Sequence, residues 1–222
     1  MQNMLTKSIF HLLIVATCLT LFVSVTNSMP QPSTSGNTVP SHLKKSRLFY
    51  RGIYKTTIQS LGQDYAKGKS PTGHTKDAGD FAPEGVGAFY VFDNEQEALD
   101  WGRCHTQGTA IKTYVVVTYQ YTPKTDLKKN SFTTADKTWL AFVESNYAPT
   151  TKKSPYDIVE GPISAPFRDA NGKKIKVAYI KNGKSVWQGA FITPAALKTL
   201  AVADIKQYSV PEKQNSLSCV IQ

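Results

Sequence analysis

Val86-Gly87-Ala88-Phe89-Tyr90-Val91-Phe92 runs directly into Asp93-Asn94-Glu95-Gln96-Glu97-Ala98-Leu99-Asp100-Trp101, and this union of an aromatic strand with a capped helix decides how the 222-residue chain is read. Gly85 and Gly87 permit a tight backbone and leave no side chain between it and a ligand, while Phe89 and Tyr90 offer flat aromatic faces. The run suits either a bed for a planar ring or an ordinary strand with Phe and Tyr in the core. Asp93 or Asn94 can cap the helix, Glu95 and Glu97 lie in its first turn, and Ala98 with Trp101 falls at i, i+3.

On the N-terminal side, Arg47-Leu48-Phe49-Tyr50-Arg51-Gly52 has an apolar centre flanked by cations and closed by glycine, which predicts a first core strand. Residues 56–61 suit one or two helical turns, and 62–84 form a long Gly/Lys/Ser/Asp/Pro loop, either a lid or simply mobile. On the C-terminal side, Thr113-Tyr114-Val115-Val116-Val117-Thr118-Tyr119-Gln120-Tyr121 is β-branched or aromatic nearly throughout and should be central in a sheet. Asp136 caps a second helix over 137–146, with Trp139, Leu140, Phe142 and Val143 spaced for one buried face.

Tyr156-Asp157-Ile158-Val159-Glu160-Gly161-Pro162-Ile163 reads as a strand stopped by Gly-Pro. A turn at Asp169-Ala170-Asn171-Gly172 leads to a strand over 175–180, and Asn182-Gly183 signals a type I′ hairpin to a partner strand over 185–193. In that partner Val186, Gln188, Ala190 and Ile192 share one side, so either Gln188 lies at a cleft or a bulge at Gly189 turns it to water. Thr193 and Pro194 open a short final helix reaching Leu200.

Residues 1–28 read as a secretory signal peptide: Lys7, a mostly apolar run over 9–25, then small residues before Met29. That run is short for a membrane span and is weakened by His11, Thr17, Cys18, Thr20 and Ser24. Residues 29–45 are a polar, flexible lead, 46–211 a single domain, and 212–222 a loose tail. The whole chain carries +10, and loss of Lys7 leaves 25 basic against 16 acidic residues. The lysines scatter in short clusters without an Arg-rich helix, so solvated loops are a better reading than nucleic-acid binding; a basic protein docking on anionic surfaces is a weaker third reading. Cys104 and Cys219 remain in an oxidising compartment and can pair, and no Cys or His spacing suits a metal. The terminal Cys219-Val220-Ile221-Gln222 matches a prenylation box, which a translocated chain would not present to a cytosolic transferase.

Three segments in this order resemble the ADP-ribosyltransferase superfamily: Leu48-Phe49-Tyr50-Arg51-Gly52, then Gly87-Ala88-Phe89-Tyr90-Val91 with its following helix, then Tyr156 to Ile163. The pattern is similar to a branch found in bacteria and fungi, which also has a Gln-containing strand before a Thr-x-x-Ala-Leu helix, and it shares Gly-Phe-Tyr and Gly-Pro segments with diphtheria-toxin-like enzymes. The resemblance implies an α+β fold of two packed antiparallel sheets with flanking helices, and NAD held in the cleft between them. It implies that Arg51 orients NAD, Gly52 contacts the nicotinamide amide through its backbone, Tyr90 stacks on the ring beside Phe89, and Gln188 stands where many members place a catalytic Glu. The residues by themselves also suit Arg51 as a surface strand cation and Tyr90 as a core residue.

A neutral Gln188 can hydrogen-bond a ribose but supplies no anion or base, and Glu160 is the nearest other carboxylate in the motif strands, more simply a strand-end residue. The implied function is a secreted, monomeric, NAD-binding mono-ADP-ribosyltransferase-like toxin or effector acting on a protein or other nucleophile, touching membranes only through its signal peptide. The alternative is a non-catalytic binding module on the same fold.

Overall fold

The β-branched run 113–121 forms the central strand of a three-stranded antiparallel sheet, because side chains on both of its faces need covering. A computed structural model describes residues 39–54, 66–106, 113–149 and 153–209. In chain order these hold β1 (Arg47–Tyr54), β2 (Phe89–Val91), α1 (Glu95–Thr106), β3 (Thr113–Tyr121), β4 (Lys129–Ser131) and α2 (Lys137–Asn146). There follow β5 (Ile158–Pro162), β6 (Ser164–Arg168), β7 (Lys174–Ala178), β8 (Ile180–Lys181), β9 (Lys184–Ser185), β10 (Trp187–Phe191), α3 (Pro194–Leu197) and β11 (Leu200–Ser209). The first sheet has the order β1-β3-β11 and the second β2-β10-β5-β4, with two-stranded ribbons β6-β7 and β8-β9. The fold is α+β with mostly antiparallel sheets; β4 against β5 is the parallel exception.

Period-two alternation makes the core. Phe49, Val117, Tyr119 and Tyr121 of the first sheet meet Phe89, Ile158, Trp187 and Phe191 of the second in one buried cluster. Phe49 stacks on Trp187 with ring centroids 5.1 Å apart and planes 14° from parallel. Each such side chain contributes about 1.5–3 kcal/mol by leaving water. On the far face of the first sheet, α1 packs so closely that a Cβ on Gly52 would collide with the Ala98 carbonyl oxygen. On the far face of the second, Trp139 and Val143 of α2 pack with Val159 and Ala190, and Trp139 Nε1 donates to Pro162 O at 2.9 Å.

Helix boundaries follow the capping chemistry. Asn94 Oδ1 accepts from Glu97 N at 2.9 Å, Asp136 Oδ1 accepts from both Thr138 N and Trp139 N at 2.9 Å, and Thr193 Oγ1 accepts from Ala196 N at 3.2 Å. Asn182 (φ 51°) and Gly183 (φ 74°) both take positive φ, as a type I′ turn requires, but the hairpin they close is only the short β8-β9 ribbon: the strands expected to pair across it do not, since β7 pairs with β6 and β10 with β5 and β2. Three strands lie outside the sequence expectation: β4, β6 and β11. Helix α3 ends at Leu197, short of Leu200, because Leu200 starts β11 opposite Tyr121.

The lead expected to be flexible over 29–45 is docked from Val39 onward. Val39 and Leu43 are buried in the inter-sheet core, Val39 N donates to Thr133 O at 2.8 Å, and Tyr121 Oη donates to Leu43 O at 3.1 Å. Two apolar side chains in an otherwise polar stretch suffice because a complementary surface receives them. The signal peptide, the helical turns expected at 56–61 and the tail at 212–222 lie outside the described residues. Cys104 is disulfide-bonded, and the other cysteines, Cys18 and Cys219, also lie outside them. Among the described residues no helix is long and apolar enough to cross a membrane.

Candidate functional site

The two sheets are joined where β1 meets the end of β2: Tyr50 N donates to Phe92 O at 2.9 Å and Phe92 N to Tyr50 O at 2.8 Å. A cavity of about 430 Å³ opens beside this seam, within the range of small-molecule sites. Arg51, Gly52, Tyr90 and Gln188, from three strands far apart in the chain, all line it. Residues 77–80 of the long loop, α1, the end of α2 and the β6-β7 ribbon add further walls.

Tyr90 is held at both ends. Its hydroxyl accepts from Phe81 N at 3.2 Å, and its carbonyl accepts from Arg51 Nη1 at 2.7 Å. Burial drives the Tyr90 hydroxyl far above the ordinary tyrosine pKa, so it remains neutral. A ring fixed in this way presents a preorganised wall. The Arg51 guanidinium lies 4.3 Å from the centroid of the Phe89 ring, which places one cation between the aromatic core and the cavity.

Phe89 itself does not line the cavity. It is fully buried between the sheets, where its ring meets Tyr119 edge-on at 5.4 Å. Alternation along β2 sends Phe89 inward and Tyr90 to the opposite face, so two adjacent aromatics cannot flank the same ligand ring. Phe89 supports Arg51 from beneath.

Gln188 is 5 % exposed and lies on the same face of β10 as Ala190. β10 runs in unbroken register through Gly189, opposite Val91 on one side and Glu160 on the other, so of the two readings left by the sequence the cleft-facing one holds. Gly52, although it lines the cavity, is demanded first by the approach of α1.

Glu160 faces the other way. It pairs with Gly189 in register and therefore shares the face of Trp187, away from Gln188. Its Oε1 accepts from Ser41 Oγ at 2.5 Å and Ser131 Oγ at 2.6 Å; its Oε2 accepts from His42 N at 2.8 Å and Trp187 Nε1 at 3.1 Å. Burial raises its carboxyl above the ordinary glutamate value, with these hydrogen bonds opposing the shift. Glu160 is a buried clamp for the N-terminal lead, and its side chain points away from the cavity.

Several cavity residues were not legible beforehand. Asp80 is buried on the loop, where its Oδ1 accepts from Tyr147 Oη at 2.9 Å and Ser164 Oγ at 2.6 Å, and its Oδ2 accepts from Ser164 N at 2.5 Å. Burial, then the Asp80 carboxylate, holds the Tyr147 hydroxyl well above its ordinary pKa. Trp101 and His105 lie one turn apart on α1 with rings 4.3 Å apart, and His105 Nδ1 is 2.9 Å from Trp101 O. Their i, i+4 spacing was the available signal; nothing in the aperiodic loop pointed to Asp80.

An α+β domain with a preorganised aromatic cavity at the seam of two sheets is thus the class that the geometry defines. The chain belongs to the family described as Protein of unknown function (DUF3990), whose model matches residues 73–202, more than half of the sequence. The match takes in Tyr90, Gln188 and the loop carrying Asp80, and begins after Arg51. No curated protein matches the chain.

Proposed function

We propose that the protein is a secreted mono-ADP-ribosyltransferase-like toxin or effector that takes NAD into this cavity and passes ADP-ribose to a protein or other nucleophile. The observation that carries the reading is that Arg51, Gly52, Tyr90 and Gln188, named from three separate strand segments, line one cavity. In this reading the nicotinamide ring lies on the Tyr90 wall, Arg51 orients the dinucleotide, and the Gln188 amide hydrogen-bonds the ribose. The bond from the ribose to the nicotinamide nitrogen breaks, its electron pair leaves with nicotinamide, and the acceptor attacks the ribose carbon and gives up its proton. The disulfide on Cys104 supports an oxidising compartment.

A second reading is favoured by one observation: Gln188 is neutral and Glu160 points away from it. A non-catalytic binding module would use the same cavity without turnover. Gln188→Glu separates the two. A transferase site gains nicotinamide release in that variant, whereas a module with no affinity for NAD in either form overturns the NAD reading.

A further inference from the structure

The β6-β7 ribbon leaves the cavity wall as an antiparallel arm in which opposed residues share a face: Ser164 with Ala178, Pro166 with Lys176, Arg168 with Lys174. Ser164 and Lys176 line the cavity, so the face carrying Lys174 and Arg168 is its outward continuation. Lys176 Nζ stands 4.1 Å from the centroid of the Tyr147 ring at this rim.

Charge on this face is uncompensated. Among the described residues neither Lys174, Lys176 nor Arg168 is in an ion pair, whereas Lys181 binds Glu97 and Asp100, Lys206 binds Glu95, and Arg103 binds Asp100. Asp169, the ribbon's acid, is folded into the turn, where Oδ1 accepts from Asn171 N and Lys173 N at 2.9 Å. Arg168 Nη1 donates to Gly172 O at 2.9 Å, which fixes the guanidinium on the arm. Of the cavity's carboxylates, Asp80 is bonded to Tyr147 and Ser164, and Asp77 is exposed on the loop.

We propose that Lys176, followed outward by Lys174 and Arg168, forms a phosphate subsite at the cavity mouth. The site then takes a phosphorylated ligand whose planar ring lies within and whose phosphates run out along the ribbon. Only the placement of the ring rests on the NAD reading above. An ammonium on a flexible stem meets phosphate as a point charge, and Arg168 adds a forked donor further out. Arg51 belongs to β1 rather than to the ribbon, and its Nη1 donates to Tyr90 O.

The test is calorimetric titration of the purified protein with ADP-ribose, inorganic pyrophosphate and adenosine, compared with Lys176→Met and Lys174→Met/Arg168→Met. Methionine keeps the apolar stem, and a melting curve checks folding. Lys176→Met is expected to weaken ADP-ribose and pyrophosphate by about tenfold or more, the size of one charged hydrogen bond, and to leave adenosine unchanged. The outer pair is expected to weaken ADP-ribose less and to flatten its salt dependence. Equal affinities in wild type and Lys176→Met, or no binding of either phosphate compound, overturn the subsite. Lys176-dependent binding of pyrophosphate by a protein that does not bind NAD leaves the subsite standing and removes the NAD reading; NAD binding indifferent to Lys176 does the reverse.

Discussion

Replacing Glu160 separates a structural carboxylate from a catalytic one. In Glu160→Ala four donors lose their acceptor, and two of them, His42 N and Trp187 Nε1, are fixed in direction. The serine hydroxyls can rotate, so the cost falls on the fixed pair at about 1–3 kcal/mol each. Relief of the buried charge offsets part of this, leaving a net loss of about 3 kcal/mol and a melting point lower by about 6–12 °C. Glu160→Gln is expected to be much milder. Its amide oxygen serves the two fixed N–H groups while its amide nitrogen donates to Ser41 and Ser131, whose hydroxyls turn round to accept.

The pH dependence gives a second readout. The folded carboxyl binds its proton more readily than the unfolded one, so the folded state is favoured at low pH. That contribution declines as pH rises from the ordinary glutamate value through the raised one. Glu160→Gln removes this slope, so its stability relative to wild type should improve across that window. Urea melts of the three proteins from pH 4 to 8, with ligand titrations beside them, make the test. A Glu160→Ala variant as stable as wild type, or a Glu160→Gln variant that keeps its fold yet loses ligand binding in the cavity, would refute a purely structural role for this carboxylate.

Gly52→Ala is expected to lower stability by about 3 kcal/mol, because the new Cβ meets the rigid backbone of α1 at Ala98; a denaturant melt matching wild type would show that helix to be less closely seated. Asp136→Ala should cost about 1 kcal/mol by stranding Thr138 N and Trp139 N, and Asp136→Asn much less, read by the same melts. Tyr90→Leu should weaken an aromatic cavity ligand by about tenfold through loss of the ring wall.

Local chemistry made much of this architecture readable. Asp136, Thr193 and Asn182-Gly183 act within a few residues of themselves, so caps and turn fell where the side chains put them, whereas the longer strands on either side of the turn take other partners. β3 was evident because it is apolar on both faces. β11 was not: from Asp204 its residues are mostly exposed, and a register shift between Val202 and Asp204 breaks the alternation, so only the open edge of β3 selects it. Val39 and Leu43 escaped notice because their burial depends on a surface assembled from β3, β5 and β10. For the cavity, Arg51, Tyr90 and Gln188 could be named through the resemblance carried by the order of the motif segments, with strand alternation adding support for Gln188 alone, and alternation along β2 excludes Phe89. Asp80, Tyr147 and Lys176 come together only through tertiary contacts, from a loop, a helix end and a ribbon.

The most direct measurement is calorimetric titration of the purified protein and its Arg51→Ala variant with NAD, with released nicotinamide followed in the same samples. NAD binding by the wild type and its loss in a folded Arg51→Ala, with nicotinamide release that rises in Gln188→Glu, is the predicted result. Absence of NAD binding by the wild type, or equal binding by Arg51→Ala, would contradict the assignment of this cavity to NAD.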